Sequence, residues 1–413
     1  MHKGHEELIN FAKSDGVIII LSGNFTQRGS PAIVDKFFRA ELAVKAGADL
    51  VMELPFIYAC SAGQDFARGA TEILGRLGFV DNLAFGMEEP NFDFMPILDV
   101  MLNENESYKH FLRDELDRGA SFTKANSLAL EKILPGSYEF LVKPNNLLAL
   151  SYIIELRRHN YNMKIMKLKR SGNFRSKDIR EFLTLDKWQP QNYMNNSALI
   201  TSGQDQQPNI EAFAQALTSS RQNLMNNSEI LDILPDFTRD MIYSCERLCD
   251  ESKLWPLLQN IFLRSRPEDL RRIYGIDEGI EGLFLRNWRS SEGLDDFIGR
   301  CVCARYTRAH IRRRLIYILL GLDKWEIWGT LRREIPYVRV LAFNERGREI
   351  LRRYGKNSDI KIITRLSEAK TRDAKFFAQI EYKASGLYEL LMKKPDMKRE
   401  TLSALQIQKA AGH

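Results

Sequence analysis

Cysteine is scarce in this sequence. Only five occur in 413 residues, at Cys60, Cys245, Cys249, Cys301 and Cys303. An odd, low count excludes a disulfide framework and fits free thiols in a reducing compartment. The pairs Cys301/Cys303 and Cys245/Cys249 lack zinc-knuckle spacing, and no histidine pair follows them, so no metal site is expected. Long apolar runs are also missing. Residues 17–21 and 315–320 are the longest, far short of a bilayer span, and no signal peptide is evident. The expectation is a soluble, cytoplasmic chain. Exact repeats and low-complexity tails are absent. The charge imbalance is small: +6, with a pI near 8.9, permits an anionic partner without requiring one. What remains is a globular composition, long enough for two domains and a sizeable core.

Strand and helix patterns alternate through the first half. Residues 6–14 read as an amphipathic helix. Val17-Ile18-Ile19-Ile20-Leu21 is a continuously apolar, β-branched run of the kind buried on both faces in a parallel sheet. Residues 35–46 predict a helix closed by Gly47, 50–54 a second buried strand stopped by Pro55, and 65–77 a helix ended by Gly78. Residues 83–86 predict a third short strand, 147–158 a helix and 164–168 another strand. This alternation predicts βαβ units in an α/β fold. Ligands in such sheets sit at the carboxyl ends of the strands, so the loops at 22–30, 53–58 and 86–90 are candidate site walls. Residues 186–227 turn polar and read as a linker with some helix at 210–217. Helical patterns then dominate at 240–250, 254–264, 294–320, 346–354 and 373–391.

Several residues could carry chemistry. His2-Lys3-Gly4-His5 places two imidazoles and a glycine at the start of a helix. Imidazoles there can donate hydrogen bonds to phosphate oxygens, aided by the helix dipole. Alternatively the stretch is a charged terminus with exposed histidines. Gln27 and Arg28 sit in a polar loop after the first strand, where an arginine fork could hold a carboxylate or phosphate, or simply be solvated. Asp35, Lys36 and Arg39 read as a helix start with surface ion pairs. Glu53 stands at the end of a buried strand, and Asn145 and Asn146 precede a helix that one of them could cap. Arg305, Arg308, Arg312 and Arg313 cluster with Tyr306 and His310. On one helix the first three share a face, either as a phosphate-backbone contact or as a solvated face paired with Glu292, Asp295 and Asp296.

These motifs, taken in order, resemble a family. His2-x-Gly4-His5, then the run from Ser22-Gly23-Asn24-Phe25-Thr26-Gln27-Arg28-Gly29 to Pro31-Ala32, then Ala48-Asp49-Leu50-Val51-Met52-Glu53-Leu54-Pro55 are similar to the bacterial tRNA(Met) cytidine acetate ligases, relatives of the HIGH-type nucleotidyltransferases. Phe85-Gly86, Pro144-Asn145-Asn146, Lys169-Arg170, Arg305-Tyr306-Thr307, Arg312-Arg313 and Tyr337-x-Arg339-Val340-Leu341 extend the likeness over nearly the whole chain.

The resemblance implies a Rossmann-like nucleotidyltransferase domain at 1–205 followed by a mostly α-helical tRNA-binding domain at 206–413. It implies activation of acetate by ATP, with Mg2+, to acetyl-adenylate. The acetyl group then passes to N4 of the wobble cytidine of elongator tRNA(Met), with neither membrane nor DNA as partner. His2 and His5 would be catalytic. His2, Gly4, His5, Gly86, Asn145, Asn146 and Arg170 would bind ATP, Gln27 and Arg28 the substrate, and Arg305, Arg308, Arg312 and Arg313 the tRNA. Three features depart from the family pattern. Family members carry a strand before the HxGH, where this chain has Met1. The stretch Ser197-Ala198-Leu199-Ile200-Thr201 lacks an expected arginine, and Ala304 replaces a lysine. The departures leave two other readings: an RNA-binding relative without ligase activity, and a small-molecule nucleotidyltransferase.

Overall fold

The computed structural model describes residues 1–103, 105–170, 234–238, 245, 247–402 and 406–407. The polar segment at 186–227, the stretch 197–201 and the 205/206 boundary lie outside them, as does most of the helix expected at 240–250; its described residues 245 and 247–250 are not helical.

The first half builds α1 (Lys3–Phe11), β1 (Ile18–Ser22), α2 (Lys36–Lys45), β2 (Leu50–Leu54), α3 (Phe56–Ala59), α4 (Gly63–Leu77) and β3 (Asn82–Met87). The chain continues through α5 (Met95–Asn103), α6 (Glu106–Asp117), α7 (Phe122–Ile133), α8 (Tyr138–Leu141), α9 (Pro144–Arg158) and β4 (Lys164–Lys169). Local chemistry sets the boundaries. The Asp35 carboxylate accepts from the Phe38 N–H at 2.8 Å and starts α2. Gly78 takes φ 74° where α4 stops, a left-handed cap that suits glycine.

Beyond residue 250 come α10 (Leu254–Arg264), α11 (Pro267–Arg271), α12 (Ile280–Asn287), α13 (Leu294–Cys301), α14 (Arg308–Leu320) and α15 (Lys324–Leu331). Then follow β5 (Tyr337–Phe343), α16 (Glu345–Tyr354), β6 (Lys361–Ile363), α17 (Arg372–Leu390), α18 (Arg399–Leu402) and β7 (Gln406–Ile407). The single helical span expected at 294–320 is broken. Thr307 accepts from the His310 N–H and caps a new helix, so Arg305 lies in the loop before α14 and does not share a helix face with Arg308 and Arg312.

The α/β pattern is present. β1 pairs β2 in parallel with Ile18 opposite Leu50, and β3 pairs β4 in parallel with Asn82 opposite Lys164. The sheet also recruits the second half. β5 runs antiparallel to β2, with a register shift between Val51 and Met52, and β6 and β7 join β5 in parallel. Every residue of β2 and β5 is buried. A main core links this sheet to α3, α4, α9 and α17, and a second packs α10, α12, α13 and α14 around Phe262, Phe284 and Phe297.

Candidate active site

A cavity of about 1170 Å³ lies between the two sheets. Among the described residues β1 is hydrogen bonded to β2 on one side only, and β3 to β4 on one side only. Residues Ile18 to Ser22 of β1 and Asn82 to Gly86 of β3 both line the cavity. Helix α1 supplies His2 and His5, α9 supplies Asn145, α2 supplies Arg39, and Arg170 follows β4. Four segments far apart in sequence thus meet around one space.

His2 is the N-cap of α1, and its ring stacks on His5 with centroids 3.7 Å apart. Its pKa is lowered to about 4, chiefly by burial, then by the terminal amine and the Arg170 guanidinium. His5 is open to the cavity yet deep within the protein, and burial, His2 and the same cations hold its pKa well below the usual value. At neutral pH both rings are therefore uncharged, and each offers one N–H donor. The positive charge comes from Arg170 and Arg39. Arg39 is anchored by donating to the carbonyls of Ser22, Gly23 and Val34.

The two asparagines separate into different roles. Asn146 is fully buried; its Oδ1 accepts from the N–H groups of Glu88 (3.0 Å) and Glu89 (3.2 Å), and its Nδ2 donates to the Phe140 carbonyl at 3.1 Å. It fastens the β3 loop to α9 and does not line the cavity. Asn145 faces the cavity, accepts from Arg170 Nη1 at 3.2 Å, and donates from Nδ2 to Glu88 at 2.6 Å. Glu88 also accepts from the backbone N–H of Asn146 at 2.9 Å, and so caps α9. Gly86 faces the cavity wall, where an added Cβ would stand 3.1 Å from Arg170 Cγ. Gly4 lies on α1 beside the rings but does not line the cavity.

The remaining expected residues lie elsewhere. Gln27 packs over the start of α4, 3.6 Å from the Cβ position of Gly63, and Arg28 is exposed. Neither lines the cavity, although their neighbour Thr26 does. The loop at 53–58, expected as a site wall, is buried and does not line it. Lys36 and Glu53, read as surface or active groups, form a buried ion pair at 2.6 Å. Glu400 adds a second carboxylate to Lys36 at 2.9 Å, and Arg339 pairs with both acids.

Three of the four clustered arginines are ion-paired. Arg305 meets Glu278 at 3.0 Å, Arg308 meets Asp295, and Arg312 meets Glu251 and Asp295. Arg313 donates to the Gln27 carbonyl at 3.0 Å.

Sequence reading missed Arg39 as a cavity cation and Glu88 as the cap that aims Asn145. Glu88 did carry a signal, because it lies in the loop at the carboxyl end of β3.

Together these groups suit a nucleoside triphosphate. Two guanidinium groups face it with neutral imidazole donors, an amide stands beside them, and a glycine leaves the wall flat. No helix of the described residues is long and apolar enough to cross a membrane.

Comparison with known proteins agrees with this chemistry. A family model described as HIGH Nucleotidyl Transferase matches residues 1–184 and 201–402. A tRNA(Met) cytidine acetate ligase of Clostridium perfringens is 32% identical over 406 residues, covering 94% of this chain and 92% of that protein. One of Caldanaerobacter subterraneus subsp. tengcongensis is 32% identical over 412 residues, covering 95% and 93%. The crystal structure of Thermotoga maritima TmcAL bound with alpha-thio ATP superposes with a TM-score of 0.79 at 25% identity, covering 99% of this chain and 97% of that one. The chain therefore belongs to the HIGH nucleotidyl transferase family and, within it, to the tRNA(Met) cytidine acetate ligases.

Proposed function

We propose that this protein condenses acetate with ATP and passes the acetyl group to N4 of the wobble cytidine of elongator tRNA(Met), in the cytoplasm. The names of its relatives supply tRNA(Met), cytidine and acetate. The observation that carries the reading is the convergence of His2, His5, Asn145, Arg170 and Gly86 on one cavity.

In the first step an acetate oxygen attacks the α-phosphorus. A new P–O bond forms, the bond to the bridging oxygen breaks, and pyrophosphate leaves with the electron pair. Arg170 and the His2 and His5 N–H groups stabilise the added negative charge, with Gly4 between the two histidines. Asn145 orients Arg170, and Asn146 holds Asn145 and its loop in place. Mg2+ would enter on the triphosphate; among the described residues no group of three or more His, Cys, Asp or Glu stands together to hold a metal ion. In the second step the cytidine N4 attacks the acyl carbon, AMP leaves, and N4 loses a proton. Gln27 and Arg28 belong to the loop that presents acetate through Thr26. Residues 1–205 carry the activation chemistry and 206–413 the RNA contacts, with half-buried Arg305 and exposed Arg308 on the RNA side and Arg312 and Arg313 behind them.

The test is acetate-dependent exchange of labelled pyrophosphate into ATP by the full chain, followed by transfer of labelled acetate to elongator tRNA(Met) and to a transcript with uridine at the wobble position. Exchange with transfer only to the cytidine transcript is expected. RNA binding without exchange would sink the ligase reading in favour of an RNA-binding protein. Exchange without any RNA acceptor would point to a small-molecule nucleotidyltransferase.

A further inference from the structure

The loop that carries Gln27 and Arg28 is seated on helix α14. Gly29 has φ 75°, and a Cβ there would stand 2.4 Å from the Arg313 backbone nitrogen and 2.6 Å from the Arg312 carbonyl carbon. No side chain fits that approach. From the same helix Arg313 Nη1 donates to the Gln27 carbonyl at 3.0 Å, and Arg312 Nη1 donates to Ser30 Oγ at 3.2 Å. The loop is closed on itself as well: the Thr26 N–H donates to the Ser30 carbonyl and the Gly29 N–H to the Thr26 carbonyl, both at 2.9 Å. Thr26, inside that closure, lines the cavity that holds His2, His5 and Arg170. Arg313 itself is half-buried, lies near Asp65, Cys60 and Tyr317, and makes no ion pair among the described residues. An arginine aimed inward at a backbone carbonyl is placed to hold a loop rather than to meet a phosphate.

We propose that Arg313 is a positioning residue for acetate activation: by seating the loop from Phe25 to Pro31 on α14 it fixes Thr26 at the cavity wall. This rests on the ligase reading above. It also gives α14 two faces with different work. Arg308 looks outward toward RNA, and Arg313 looks inward toward the adenylation cavity. A single rigid helix then connects the two substrates.

Arg313→Gln tests the assignment in the full chain. The expected result is at least a tenfold rise in the acetate KM of ATP–pyrophosphate exchange, a smaller change in kcat, and a tRNA dissociation constant within twofold of the parent. Arg313→Lys, with one charged donor, should recover part of the acetate KM. Gly29→Ala unseats the same loop with the arginine intact and should reproduce the KM effect, which guards against a fold defect peculiar to the arginine variant. Hydrogen exchange at the Thr26 and Gly29 amides gives a readout independent of activity: both should exchange at least tenfold faster in Arg313→Gln. If the parent shows no exchange of pyrophosphate, the ligase reading fails while the amide rates still report on the loop. The proposal is overturned if Arg313→Gln weakens tRNA binding tenfold with acetate KM unchanged, or if the amide rates do not move.

Discussion

Asn145 and Asn146 are adjacent and identical, yet one residue of helical rotation gives them opposite duties. Asn146 is wholly enclosed, with its amide satisfied by three backbone groups. Removing it leaves the Glu88 and Glu89 amides without their acceptor, a loss of about 1–3 kcal/mol for each unsatisfied buried group. Asn145 touches the cavity and the Arg170 guanidinium. We expect Asn146→Ala to lower the unfolding midpoint by several degrees. Asn145→Ala should keep the midpoint and weaken ATP binding about tenfold, the effect of one hydrogen bond. Thermal melts and calorimetric titration with ATP check both, and equal behaviour of the two variants would refute the division. The sequence allowed one of the two asparagines to cap α9, but both lie inside the helix and Glu88 caps it. The sequence could not show which of them would face the cavity, because that depends on Glu88, 57 positions away from Asn145.

Among the elements, strand β5 taught the most. Tyr337-x-Arg339-Val340-Leu341 resembled the family, but nothing in that stretch announced a partner in the first half. A short apolar run reveals that it will be buried, not beside which strand. The helices from Met95 to Ile133 were likewise unread, whereas β1, β2, α2, α4 and α9 were legible from period and capping residues. The β2–β5 pairing also explains why Lys36, expected at the surface, is buried. Helix α2, β2, β5 and α18 meet around it, and Glu53, Arg339 and Glu400 enclose it. A charge at a helix start looks solvated until the covering elements are known. Its ammonium now neutralises two buried carboxylates, and burial opposes its charge less than Glu400 and Glu53 favour it. Lys36→Met strands those acids and should cost about 3–5 kcal/mol. An unfolding free energy from denaturant titration within about 0.5 kcal/mol of the parent would contradict that account.

For the molecule as a whole, the charge it buries sets its response to acid. His2 is held to about pKa 4 by burial, the terminal amine and Arg170, and His310 to about 3 by burial, Arg314 and Arg313. Each ring titrates near 6.5 when unfolded, so the unfolded chain takes up more protons below that pH. The contribution of these two rings is thus full above about pH 6.5 and falls toward pH 4, by at most about 1.4 kcal/mol per pH unit for each ring. Buried Glu381, pushed up to about 8 chiefly by burial and then by Glu53, works in the opposite direction as pH falls from 8 to 4.5. Glu400 works in the same direction as the rings at lower pH. Burial opposes its charge, but Lys36 and Arg339 prevail and hold it at about 2 against 4.5, so its contribution disappears as pH drops through that interval. Urea unfolding at pH 7.5, 6, 5 and 4.5 should show the parent losing stability relative to His310→Gln as the pH falls. A pH dependence identical in the parent and in His310→Gln would be inconsistent with a neutral buried ring at that position.

The β2–β5 pairing has a further consequence in time. Leu50 finds Phe343, its partner across the ladder, 293 positions later. At a synthesis rate of roughly 5–20 residues per second, about 15–60 s pass between the two emerging from the ribosome. For that interval a five-residue strand of Leu, Val, Met, Glu and Leu presents an unpaired edge, the kind of template on which neighbouring chains pair. Lys36 likewise waits for Glu400. The nascent chain must be kept apart from its neighbours until nearly all of it exists, and any interruption of translation before β5 releases a product whose sheet is missing its central member.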